Sequence, residues 1–187
     1  MHGLELLTPP ASEPLSLAEA KAYLRLDTND DDALVTALIA GARQMVEQLT
    51  GRALIAQGWR YWRDKGAAAV ETVRLPKPPL TSVCEVAWVG DGGDETVLDP
   101  AAYLVDTASD PGRVVLTAPL LGARAEKSLR IDFTAGYGAD ASAVPEAIKT
   151  ALRRLVAHFH AHREIAPDAS AARLVEDLLA PYRTVRL

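Results

Sequence analysis

The sequence predicts an α+β fold, with a bundle of about four helices built from both chain ends and an inserted antiparallel β sub-domain. Apolar residues recur at helical spacing near both ends, β-favouring runs fill the middle, and glycines and prolines separate those runs. The expected segments are N-terminal helices in residues 1–56, the β sub-domain in 57–135, C-terminal helices in 136–180 and an extended tail in 181–187.

The first helix has a clear start signal. Ser16 and Glu19 have the spacing of a capping box, in which each side chain bonds the other residue's amide, so the helix is expected to begin at Leu17. We expect it to end near Leu26. Asn29 is the predicted N-cap of a second helix, whose first turn would hold the aspartates 30–32 near the positive end of the helix dipole.

Three further helices follow from apolar spacing. The second carries a core-facing stripe and ends before Gly51, which enters the left-handed conformation without steric cost. The third is expected from Pro145 to about His162. The fourth is expected from a Ser170 cap to about Ala180, where Pro181 stops it. The stripe of the second helix consists of Leu34, Leu38, Ala42, Met45 and Leu49.

The middle of the chain reads as short strands separated by turn signals. Cys84 falls inside one of them and is expected to be a small core residue. A turn at Gly136-Tyr137-Gly138 is expected to fold its tyrosine onto the core. The predicted strands are Trp59–Trp62, Val70–Leu75, Ser82–Val89, Thr96–Leu98, Tyr103–Val105, Arg113–Leu116 and Leu129–Phe133.

Composition narrows the class of protein. The 187 residues are 49% apolar and 24% charged, which is typical of a soluble globular protein. No apolar run approaches the roughly 18 residues that span a bilayer, so no membrane association is expected. The single cysteine excludes an internal disulfide, and the net charge of −5 gives no general case for nucleic-acid binding.

Charge is distributed unevenly along the chain. Residues 1–50 hold eight acidic and three basic side chains, whereas residues 149–187 hold four acidic and seven basic ones. This asymmetry is compatible with a solvated surface that has no partner, or with the acidic end of one copy meeting the basic end of another. The residues expected at such a subunit interface are Asp30, Asp31, Asp32, Arg153 and Arg154.

Motifs for catalysis are weak throughout. His158 and His162 have the i, i+4 spacing of metal ligands on one helix face, but neither HExxH nor a supporting cysteine accompanies them. Histidines at the helix surface or partly buried are the favoured interpretation, and a small metal-dependent enzyme that uses His158 and His162 is the alternative. No nucleophile elbow or phosphate-binding loop is present. We therefore expect no enzyme activity, no bound metal and no cofactor.

In their order along residues 4–187, these elements resemble the head–tail connector (adaptor) proteins of tailed bacteriophages and phage-like gene transfer agents. The resemblance rests on the joint order of several short motifs rather than on any single one. The motifs are Glu13–Lys21 with Leu24–Leu26, Leu38–Ile39 with Ala42–Arg43, Thr50–Leu54, Leu75–Pro76 with Pro79–Leu80, Asp110–Val114, and Thr134–Gly138 with Val144–Pro145.

The resemblance implies a structural protein without catalytic residues. Such a protein forms a ring with itself, a dodecamer, beneath the portal at the head–tail junction of a particle assembled in the bacterial cytoplasm. Its other partners would be the portal protein and a tail-side connector or stopper protein, while DNA passes through the ring without sequence-specific binding. The remaining alternative is a protein-interaction module outside any virion.

The resemblance also implies that the C-terminal segment reaches the portal. This tail combines an aromatic residue, two arginines and alternating apolar residues, so it is suited to adding as a strand to a partner's sheet edge. The alternative is a disordered terminus. The residues expected to bind the portal are Tyr182, Arg183, Thr184, Val185, Arg186 and Leu187.

Overall fold

The structure, a computed structural model, describes residues 3–64, 72–90, 92–117, 128–162 and 169–184. These residues contain four α-helices and eight β-strands, which confirms the predicted α+β class. The chain divides into two compact units. The β unit comprises the described residues within Met1–Pro9 and Ala56–Gly136, and the helical unit those within Pro10–Ile55 and Tyr137–Leu187.

The helical unit contains α1 (Leu17–Leu24), α2 (Asp32–Thr50), α3 (Glu146–His162) and α4 (Ala169–Leu179). One apolar cluster joins all four helices, because each helix turns its apolar face toward the others. The largest fully buried side chains of this cluster are Leu15, Leu38, Leu54, Ile55, Ile148, Leu152, Leu155, Phe159 and Leu179.

The capping box of α1 is confirmed. The Glu19 amide donates to Ser16 Oγ across 3.2 Å, and the Ser16 amide donates to Glu19 Oε2 across 2.9 Å. Arg25, with φ of 58°, takes the left-handed conformation and ends the helix slightly before Leu26, where we had expected the end. Gly51, with φ of 73°, ends α2 as predicted.

The predicted N-cap of α2 is wrong. Lys21 Nζ donates to Asn29 Oδ1 across 2.7 Å and to Asp32 Oδ1 across 2.6 Å, and so draws the asparagine side chain away from capping. Asp31 occupies the N-cap position without a capping hydrogen bond from its side chain, and only Asp32 lies in the first turn. Asp30 therefore lies outside the helix.

The start of α4 also differs from the prediction. The described helix begins at Ala169, so Ser170 lies within it and is not its N-cap. Pro181 does end the α-helix, but the chain continues in a 3₁₀ turn over Ala180–Tyr182. Tyr182 is thus not extended, whereas Arg183 beyond it is, with φ of −67° and ψ of 128°.

The β unit contains two antiparallel sheets. A five-stranded sheet has the order β1-β2-β8-β4-β5, and a three-stranded sheet has the order β3-β7-β6. The strands are β1 (Gly3–Thr8), β2 (Gln57–Arg63), β3 (Thr72–Arg74), β4 (Leu80–Val89), β5 (Glu95–Val97), β6 (Tyr103–Asp106), β7 (Arg113–Leu116) and β8 (Ser128–Ala135). Val70, where the second strand was predicted to start, lies outside the described residues.

The strand β1 is not predicted by the sequence pattern. Residues 1–56 are predicted to belong with the helices, yet Gly3–Thr8 pairs with β2, where Leu6 lies opposite Trp59. Cys84 was also misassigned, because it is exposed rather than part of the core. Val83 pairs with Phe133 and Glu85 with Asp132, which leaves Cys84 as the extra residue of a β-bulge.

Candidate interaction surfaces

The C-terminal segment is held on the helical unit at its start. Arg52 Nε donates to the carbonyl oxygen of Tyr182 across 2.5 Å, and the Thr184 amide donates to the carbonyl oxygen of Thr50 across 3.0 Å. The Tyr182 ring packs against the helical core. The structure therefore places Tyr182 and Thr184, two of the six predicted portal-binding residues, beside the end of α2.

Arg183, which lies between these two residues, is exposed. Arg183 Nη1 lies 3.3 Å from Glu176 Oε1 on α4, and both side chains are about half exposed. Such a pair contributes little to stability, since solvent screens it. Val185, Arg186 and Leu187 lie outside the described residues.

The aspartates of the acidic turn before α2 lie in two different environments. Asp32 forms an ion pair with Lys21 across 2.6 Å and so ties α2 to α1. Asp30 and Asp31 are exposed, and neither carboxylate has a partner among the described residues. The turn thus presents two carboxylates outward rather than three.

The predicted basic pair on α3 divides in the same way. Arg153 Nη1 donates to Glu146 Oε1 across 2.5 Å, and its Nη2 lies 3.8 Å from Glu19 Oε1 on α1. Arg154 is exposed and its guanidinium has no partner among the residues that the structure describes. Arg153 is therefore engaged by carboxylates of its own chain, while Arg154 faces solvent.

The two carboxyl groups near Arg153 have lowered pKa values. The hydrogen bond from Arg153, with a second from Lys149, lowers the pKa of Glu146. The pKa of Glu19 is lowered chiefly by the hydrogen bond from the Ser16 hydroxyl, then by the Ser16 amide, and less by the charge of Arg153. Both carboxylates are thus engaged within their own chain.

The two histidines share one face of α3, as their spacing predicts. Their ring centroids lie 4.3 Å apart, and His162 Nδ1 lies 2.8 Å from the carbonyl oxygen of His158. His158 Nε2 lies 3.5 Å from Ser170 Oγ on α4. Among the described residues no third histidine, cysteine or carboxylate joins a group that could hold a metal ion. Glu164, the carboxylate that follows the two histidines in the sequence, lies outside the described residues.

The five-stranded sheet carries an ion-pair network that was not predicted from the sequence. Arg130 is 3% exposed and contacts Glu85, Asp132 and Glu95, the last across 2.9 Å. Arg60 Nε and Nη2 each donate to a different oxygen of Asp132 across 2.8 Å, and this raises the pKa of Arg60. The alternation of Arg130 and Asp132 with apolar residues along β8 was the available signal, but it does not name the partners.

No helix within the described ranges combines the length and apolar character that crossing a bilayer requires.

Comparison with a protein-family model gives a match over residues 13–171, and the family is described as head completion protein. A comparison with curated proteins gave no match.

Solved structures of gene transfer agent (GTA) particles contain similar chains. One is the virion of a native GTA particle, with a TM-score of 0.79, 27% identity, and coverage of 98% of this chain and 96% of that one. Another is the neck of an empty GTA particle computed with C6 symmetry, with a TM-score of 0.79, 26% identity, and coverage of 99% and 97%. A third is the neck of a native GTA particle computed with C12 symmetry, with a TM-score of 0.76, 27% identity, and coverage of 99% and 97%.

Proposed function

This chain belongs to the head completion protein family, and we propose that it is a head–tail adaptor of a phage or gene transfer agent particle. The resemblance predicted from the sequence is confirmed. The observation that carries the function is the likeness, over almost the whole chain, to chains in GTA necks. It favours a component of the particle's head–tail junction over an interaction module outside any virion.

The adaptor forms a ring of identical subunits. The neck structures that contain similar chains were computed with C6 and C12 symmetry, which supports a closed ring of twelve copies. In a cyclic ring each subunit offers two different surfaces, one to each neighbour. Asp30 and Asp31 form the acidic surface of that contact and Arg154 contributes to the basic one. Asp32 and Arg153 instead stabilise the subunit itself.

The adaptor's function is to join other proteins, without catalysis. The portal protein lies on one side of the ring and a tail-side connector or stopper protein on the other, with DNA passing through without sequence-specific contacts. The histidine pair does not favour a metal-dependent enzyme, since no third ligand gathers beside it among the described residues.

Portal binding is assigned to the end of the C-terminal segment. Tyr182 packs on the core and Thr184 bonds Thr50, so a deletion that begins at Pro181 would also remove contacts within the subunit. A deletion that begins at Val185 retains those contacts and removes only the last three residues.

The experiment compares full-length protein with the variant that lacks residues 185–187 in a pull-down on the portal protein of the same particle. The expected result is a deletion variant that is folded by circular dichroism but captures no portal. The matched control is Arg173→Ala, an exposed position on α4 that is expected to bind normally. Normal capture by the deletion variant would contradict the assignment of portal binding to the tail.

A further inference from the structure

The start of the C-terminal segment completes the end of α2. The last carbonyl groups of a helix have no partner within it. The Thr184 amide donates to one of them, the carbonyl of Thr50, across 3.0 Å. The left-handed turn at Gly51 brings the chain around beside it, where a Cβ built on Gly51 would lie 3.5 Å from Thr184 Oγ1. The segment is therefore bonded to α2 through its main chain.

Arg52 holds the same segment through its side chain. It is 8% exposed, and its Nε donates to the carbonyl oxygen of Tyr182 across 2.5 Å. Releasing the segment would break this bond and leave the buried Nε donor of Arg52 without the Tyr182 carbonyl, which is costly. The two bonds lie on either side of Arg183, whose extended backbone continues away from the 3₁₀ turn.

We propose that Arg52 is a positioning residue for portal capture: with the Thr50 carbonyl it fixes residues 182–184 beside the end of α2, so that portal binding starts from an ordered segment. This inference rests on the proposed function, in which the tail binds the portal. A segment whose start is already ordered loses less conformational entropy on binding, and so binds more tightly.

Two variants disturb this anchor by different routes. Arg52→Met removes the guanidinium and keeps an apolar side chain in the buried site. Thr184→Pro removes the amide donor to Thr50 together with the threonine side chain, whose hydroxyl makes no hydrogen bond among the described residues. The φ and ψ of Arg183 are those that a residue before proline adopts. Arg52→Lys retains one donor and is expected to restore part of the binding. Arg173→Ala on α4 is the control.

The first readout is the anchor itself. Hydrogen exchange by NMR is expected to show the Thr184 amide exchanging at least about tenfold faster in Arg52→Met, since the segment now opens more readily. The Arg183 amide, which bonds the Ala180 carbonyl inside the 3₁₀ turn, serves as the internal reference. An unchanged Thr184 exchange rate would overturn the inference at its first step.

The second readout is portal affinity, measured by biolayer interferometry with the portal protein immobilised. Both Arg52→Met and Thr184→Pro are expected to bind about tenfold more weakly, because ordering one residue's backbone costs roughly that factor. If Arg52→Met fails to fold, Thr184→Pro decides. Variants that bind as tightly as the natural protein would overturn the positioning role alone. A natural protein that does not bind portal would instead contradict the proposed function.

Discussion

Arg43 Nε donates to Glu13 Oε2 across 2.8 Å and so joins two residues that lie 30 positions apart in the chain. The same guanidinium donates from Nη1 to Glu47 Oε2 across 3.0 Å, and Glu47 Oε1 accepts from the Leu54 amide across 3.0 Å. One arginine thus links the segment before α1, the helix α2, and the segment that follows it.

Replacing Arg43 with methionine is expected to destabilise the helical unit by about 2–3 kcal/mol, because the buried Glu47 carboxylate would lose its ion pair with Arg43. Glu13→Gln is the milder control, at about 1 kcal/mol or less, since the Glu13 side chain is 31% exposed. All three tryptophans of the chain lie on β2 and β4. Urea unfolding of this unit should therefore be followed by far-UV circular dichroism. Equal stability of Arg43→Met and the natural protein would contradict the prediction.

Removing the N-cap of α1 is expected to lower the free energy of unfolding by about 1 kcal/mol. Ser16→Ala deletes the acceptor for the Glu19 amide and leaves that amide without a partner. Thr36→Ala on α2 also deletes a hydroxyl but sits in an exposed helix interior, and it is expected to change stability by less than about 0.5 kcal/mol. Thermal unfolding by circular dichroism compares the two. A Ser16→Ala variant as stable as Thr36→Ala would show that the capping box has no energetic role.

Lowering the pH is expected to destabilise the β unit by protonating the Asp106 carboxylate. Hydrogen bonds from the Ser109 hydroxyl, the Ser109 amide and Arg113 Nε lower the pKa of Asp106 to about 2. A carboxyl whose pKa is lower in the folded state than in the unfolded one stabilises the fold above the unfolded value, near 4, and loses that effect as pH falls toward 2.

Asp106→Asn is therefore expected to be less stable than the natural protein at pH 5–7, and the difference should shrink steadily between about pH 4 and pH 2. Tryptophan fluorescence during urea unfolding reports on this unit. Asp99→Asn, which alters an exposed aspartate beside Pro100, is the comparison for general charge effects. A stability difference independent of pH would contradict the assignment.

Substitutions of neighbouring charged residues are expected to have different effects on ring assembly. Asp30→Asn combined with Asp31→Asn should weaken each subunit contact by about 0.5–1 kcal/mol and reduce the salt sensitivity of assembly. Asp32→Asn should instead weaken the internal pair with Lys21 and leave salt sensitivity unchanged. In the same way, Arg154→Gln should weaken ring assembly, whereas Arg153→Gln should lower the stability of the subunit. Light scattering at increasing NaCl concentration measures ring assembly. Equal salt sensitivity of the Asp30/Asp31 double variant and the Asp32→Asn variant would contradict the prediction.

Local interactions were predictable from sequence, and distant ones were not. The box of Ser16 and Glu19 spans three positions, and the left-handed Gly51 depends only on its own backbone, so both were predicted. Asn29 failed as a cap because Lys21, eight positions earlier, binds its side chain. The strand β1 was missed because its partner β2 begins about fifty residues later, at Gln57.

The candidate interaction surfaces show the same limit. Sequence placed Arg153 and Arg154 together, but neighbouring residues on a helix point about 100° apart. Only the structure shows that Arg153 faces Glu146 and Glu19 while Arg154 faces solvent. Sequence likewise proposed Tyr182–Leu187 as one extended tail. The bond between Arg52 and Tyr182 spans 130 positions, so no local pattern indicated that the tail begins anchored.

Native mass spectrometry of this protein mixed with the portal protein of the same particle tests the adaptor role most directly. We predict a complex in which one ring of twelve 20.0 kDa chains joins one portal ring. The complex should be lost when residues 185–187 are deleted. A protein that stays monomeric and unbound in the presence of assembled portal would contradict the account.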